Sequence, residues 1–91
     1  MYFALFYDYG PDVLEKRAPH RSSHLALARE ANAAGKLVLA GAFDPLTDGA
    51  LLIFRADSAA EVEDFARHDP YVKNGVVTGW RVKPWTVVVG G

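Results

Sequence analysis

Two side chains in this sequence are candidates for a proton-moving site: His24, within APHRSSHLALA (residues 18–28), and Asp69, within ARHDPYVKNGVV (residues 66–77). An imidazole suits general acid/base work because it exchanges protons near neutral pH. A carboxylate against one ring nitrogen orients the ring and stabilises imidazolium, leaving the other nitrogen for substrate. Each residue also has a plain structural reading. At 100° per residue, His24 shares a helical face with His20, Leu27, Ala28 and Ala31. That face suits a partly buried ring satisfied by a backbone carbonyl as well as a ring at the mouth of a pocket. Asp69 precedes Pro70, the usual start of a short helix: Asp69 as N-cap, Pro70 at N1, and Gly75 closing the turn after Asn74. A capping carboxylate keeps a second oxygen, so capping and catalysis are compatible.

Arg17 and Arg21 lie seven and three residues before His24. Two guanidiniums near one imidazole suit a carboxylate, phenolate or enolate held by bidentate bonds, or else they are solvated helix-end charges, with Glu15 as a partner. Tyr71 either places its hydroxyl in a pocket or buries its ring in the core. Tyr7 and Asp8 are weaker pocket candidates, and Trp80 and Trp85 suit an interface or the core. His20 and His24 form an i, i+4 pair of the kind that chelates zinc, with His68 or Asp69 as further ligands. The match to a metal-binding pattern is loose, and no metal is expected. Ser22 and Ser23 lack a nucleophile elbow, and the chain has no glycine-rich phosphate loop or nucleotide fingerprint, so no cofactor is expected.

The elements that must position these groups follow from pattern. Tyr2 to Tyr9 (YFALFYDY) is an aromatic strand bounded by Gly10-Pro11. A helix is expected from about Pro19 to Ala34, stopping at Gly35. The apolar runs 37–43 and 50–55, joined by DPLTDG, make a hairpin. Ser58 and Glu61 form a capping box for a helix reaching about Arg67, with Val62, Phe65 and Ala66 on its apolar face. Val76 to Val89 is the last strand, and Pro84 marks it as an edge or bulged strand. The order βαββαβ is the ferredoxin-like α+β plan, a four-stranded antiparallel sheet with two helices on one face.

The first strand is apolar on both faces: Tyr2, Ala4 and Phe6 on one, Phe3, Leu5 and Tyr7 on the other. Residues 50–54 likewise lack a polar face. Helices cover one side of such a sheet, and the other would be a large bare apolar patch. A homodimer packed sheet against sheet is therefore expected.

The 91 residues suit a single domain, residues 1–91, burying roughly 60–65% of its unfolded surface. No cysteine is present, which excludes disulfides and thiolate metal sites. A formal net charge of −1 argues against nucleic acid or an anionic membrane as partner. ALLIFRAD (50–57) lacks the glycines and charge of an RNA-binding sheet motif. With no apolar run of spanning length and no leader pattern, a cytoplasmic location is the default.

Several fragments in order carry a resemblance: LEKRAPHRSSHL (14–25), AGAF (40–43), DG (48–49), FARHDPYVKNGVV (65–77) and VKPW (82–85). Together they make the chain resemble the YciI-like (YCII-related) family over nearly its whole length. The resemblance implies a dimeric α+β barrel and an active site built on a histidine and an aspartate, matching His24 and Asp69. It also implies lyase, dehydrochlorinase or isomerase chemistry on a small anionic or hydroxylated cyclic substrate. The alternative is a non-catalytic dimeric module that binds a small ligand.

Overall fold

The computed structural model describes residues 1–91. Four strands, β1 (Tyr2–Tyr9), β2 (Leu37–Ala42), β3 (Ala50–Arg55) and β4 (Val77–Trp85), form one sheet in the order β2-β3-β1-β4. Every neighbouring pair is antiparallel. The helices are α1 (Val13–Arg17), α2 (Arg21–Ala33), α3 (Ala59–His68) and α4 (Pro70–Lys73). The longer two pack on the sheet, α2 against β2 and α3 against β4 and β1. The arrangement is the ferredoxin-like α+β fold.

The period of two in β1 sorts its side chains as expected. Phe3, Leu5 and Tyr7 stand opposite Phe54, Leu52 and Ala50 of β3, and all six are buried under the helices. Ala28 of α2 and Val62 and Ala66 of α3 complete this core. Burying a side chain such as Leu5 contributes roughly 1.5–3 kcal/mol. The other sheet face carries Ala4, Phe6, Leu51 and Ile53, with Ala4 opposite Ile53 and Phe6 opposite Leu51. A shallow apolar depression on that face is lined by these four residues with Lys83, Pro84 and Trp85. The Arg81 guanidinium lies 4.3 Å from the Phe6 ring centroid. Leu39 and Trp85, at opposite margins of this face, are 68% and 48% exposed, while Ala4 and Ile53 between them are 7% and 6% exposed.

Several local expectations need correction. The first helix is not continuous from Pro19: residues Ala18–His20 form a 3-10 turn between α1 and α2, because Pro19 supplies no backbone donor to an α-helical ladder. Ser58 is the N-cap of α3, but its side chain caps nothing. Ser58 and Glu61 are both exposed, so water competes for the bonds of a capping box. The last strand ends at Trp85 rather than Val89. Pro84 sits on an edge strand, as its missing donor requires, while the break in register falls at Asp8/Tyr9. No helix is long and apolar enough to cross a membrane.

Candidate active site

Pro70 places Asp69. A residue before proline is pushed out of the α region, and Asp69 adopts φ −68°, ψ 123°, ending α3 and turning the chain into α4. Its carboxylate accepts from the Tyr71 backbone N–H at 3.0 Å, the N-cap bond expected from sequence. The turn also buries Asp69 completely, with 0% exposure.

A buried carboxylate needs partners, and two further side chains meet this one. His24, in the first turn of α2, brings Nδ1 to 2.9 Å from Oδ1 and 3.0 Å from Oδ2. Tyr7, at the far end of β1, donates its hydroxyl to Oδ2 at 2.7 Å. Since the carboxylate only accepts, Nδ1 carries the proton of this bond, and Nε2 is the nitrogen left for other contacts. Nε2 has no partner within the protein, and the His24 side chain keeps 14% of its surface accessible. The Tyr71 ring stacks on the imidazole, with centroids 3.8 Å apart and planes 7° from parallel. The ring is thus held at one edge and one face.

His24, Tyr7 and Tyr71 line a cavity of about 320 Å³ between α2 and the sheet. Small residues of β2 and β3, namely Ala40, Gly41, Ala42 and Ala50, line one part of it, and Leu25, Leu46 and Leu52 add apolar wall. Gly49 lets β3 start close beside β1: a Cβ at its φ of +109° would collide with the Tyr7 carbonyl oxygen. Arg17 and Arg21 also line the cavity. Neither has a carboxylate within salt-bridge distance, so both guanidiniums are available to an anion, and the pairing of Arg17 with Glu15 is not formed. Tyr9 follows Tyr7 on the inward face. Burial pushes its phenol above the ordinary value of 10.0, with Tyr71 and Asp69 adding and Arg17 and Arg21 opposing. The Tyr7 phenol is raised further, first by burial and then by the Asp69 charge and hydrogen bond. Both hydroxyls are neutral donors at ordinary pH.

The structure therefore brings together all five residues singled out from sequence: His24, Asp69, Arg17, Arg21 and Tyr71. Tyr7 moves from a weak candidate to a direct partner of Asp69, while Asp8 points the other way, exposed. Tyr9 was missed, although alternation with Tyr7 places it inward. The weighed metal ligands do not converge: His68 Nδ1 lies 2.7 Å from the Asp64 carbonyl of its own helix, and no group of three His, Asp or Glu side chains is placed to hold an ion. Trp80 is half-buried against the core, with the Arg67 guanidinium 5.8 Å from its ring centroid.

Comparison with known proteins follows the same outline. The chain is similar to an uncharacterized protein of Haemophilus influenzae, 32% identical over 97 aligned positions that cover 97% of this chain and 99% of that one. It is also similar to a solved 5-chloro-2-hydroxyhydroquinone dehydrochlorinase of Burkholderia phenoliruptrix, in complex with 2,5-dihydroxybenzoquinone: TM-score 0.81, 28% identity and 94% coverage of each chain. The YCII-related domain model matches residues 1–86, and the chain belongs to that family.

Proposed function

We propose that the protein is an acid/base enzyme of lyase, dehydrochlorinase or isomerase type, acting on a small cyclic substrate that is anionic or hydroxylated. The observation that carries this reading is the His24–Asp69 pair, with Nδ1 on the carboxylate and the His24 ring lining a cavity shared with two unpaired guanidiniums. Nε2 takes a proton from the substrate, and the electron pair left behind forms the new double bond. In an elimination the leaving group departs with its own bonding pair; in an isomerisation the imidazolium returns the proton at another atom. Asp69 stabilises the imidazolium in between. Arg17 and Arg21 hold the enolate or phenolate that develops, and Tyr71 contacts the ring. General catalysis of this kind contributes typically about 10²–10⁴-fold. The dehydrochlorinase relative acts on a chlorinated hydroxyhydroquinone, which supports this substrate class.

The test is turnover of a panel of hydroxylated and chlorinated cyclic compounds, including 5-chloro-2-hydroxyhydroquinone, by the wild type and His24→Ala. The reading predicts that at least one compound is converted. It also predicts that His24→Ala loses about 10²-fold or more in kcat while ligand affinity changes by only a modest factor. Ligand binding without turnover of any compound would instead identify a binding module.

We also infer that two copies pair through the uncovered sheet face. Support comes from the two-sided strands and from Leu39 and Trp85 exposed at its margins. The depression between Phe6, Leu51 and Ile53 also suits side chains from a second sheet.

A further inference from the structure

Tyr71 has the one buried side-chain polar atom without a hydrogen-bond partner, its hydroxyl. The residue is 1% exposed, its ring is pinned flat against His24, and its backbone N–H is committed to Asp69. The hydroxyl therefore cannot swing away to find a partner in the fold. Leaving a buried hydroxyl unsatisfied is costly, and buried polar groups in native proteins are nearly always bonded. A phenylalanine would keep the stacking without that cost. Tyr71 lines the same cavity as Arg17 and Arg21.

We propose that the Tyr71 hydroxyl is a specificity element, which selects ligands bearing an oxygen substituent on the ring in addition to the anionic oxygen held by Arg17 and Arg21. This rests on the reading of the cavity as a ligand site and deepens it. An anion alone satisfies the guanidiniums and leaves Tyr71 orphaned, whereas a ring with a second oxygen satisfies both. A site built to hydrogen-bond a ligand oxygen discriminates against the analogue that lacks it, because the protein group is then left bare.

Calorimetric titration with benzoate and with 2-, 3- and 4-hydroxybenzoate tests the proposal without requiring turnover, so it stands or falls separately from the catalytic reading. In the wild type, at least one hydroxybenzoate is expected to bind about tenfold or more tightly than benzoate, the worth of one hydrogen bond. In Tyr71→Phe that ratio falls to about one while benzoate affinity is kept. The ligand-free Tyr71→Phe protein is expected to melt at or above the wild-type temperature, since it loses an unsatisfied group. Three results overturn the proposal: no preference among the acids, or no binding of any; a preference that survives in Tyr71→Phe; or a fall in melting temperature of about 4–8 °C, which would mean that the hydroxyl serves the fold.

Discussion

The Tyr7 hydroxyl donates to Asp69 Oδ2 at 2.7 Å across 62 residues of chain, tying the end of β1 to the turn between α3 and α4. Asp69 is fully buried, so this bond is one of the three that make its charge tolerable there. Tyr7→Phe removes one donor and leaves the ring in place. Bonds to charged groups contribute roughly 1.5–3 kcal/mol, and a loss in that range is expected by urea unfolding at pH 7. A loss below about 0.5 kcal/mol would place the hydroxyl outside the network.

The same bond predicts an alkaline signature. Burial first, then the Asp69 charge and hydrogen bond, hold the folded Tyr7 phenol protonated well above its ordinary value of 10.0. Below about pH 10 both states carry the proton, and this contribution is complete. Above it the unfolded chain ionises while the folded one does not, so stability falls by up to about 1.4 kcal/mol per pH unit from this group. Tyr7→Phe lacks that slope. The stability gap between wild type and variant should therefore be constant from pH 7 to 9 and shrink above pH 10.

Asp69→Asn tests the carboxylate while keeping its shape. The amide still accepts from Tyr71 N–H but presents donors toward His24 and Tyr7, which favours the imidazole tautomer with Nδ1 as acceptor. Turnover is expected to fall by about 10²-fold or more, with less change in ligand affinity. Nitrogen NMR of the His24 ring should report the tautomer exchange.

Arg21→Ala and Arg17→Ala should each weaken binding of anionic ring compounds, by about ten- to a hundred-fold, since charge-assisted bonds contribute roughly 1.5–3 kcal/mol. Folding should be nearly untouched, because neither guanidinium has a carboxylate partner in the protein. Equal binding of the anions by the variants would return both residues to the solvated-charge reading.

Sedimentation tests the uncovered sheet face. A dimer is expected at micromolar concentration, and Leu51→Asp should shift it toward monomer by placing a charge amid Ala4, Phe6 and Ile53. A wild-type monomer would contradict the pairing.

Much of the fold was legible because it rests on local rules. The alternation of Tyr2–Tyr9 separated two apolar faces, and Asp69-Pro70 announced both a cap and the end of a helix. His24 and the apolar residues that follow it in α2 revealed which side of that helix faces inward. What stayed hidden depends on groups distant along the chain. Alternation put Tyr7 and Tyr9 on one face, but nothing local could say that the Tyr7 hydroxyl reaches Asp69 or that Tyr9 lines the cavity. The Tyr71 stacking on His24 likewise needs α2 and α4 side by side. The break at Ala18–His20 was missed because Pro19 suits the first turn of a helix as well as a 3-10 turn.

The most direct measurement is a crystal structure of the protein soaked with 2,5-dihydroxybenzoquinone, the compound bound by the dehydrochlorinase relative. The ring is predicted to lie in the cavity with an atom about 2.6–3.2 Å from His24 Nε2, a second oxygen on the Tyr71 hydroxyl, and Nδ1 still on Asp69. A ligand seated elsewhere, or a His24 ring turned away from both the ligand and Asp69, would contradict the account.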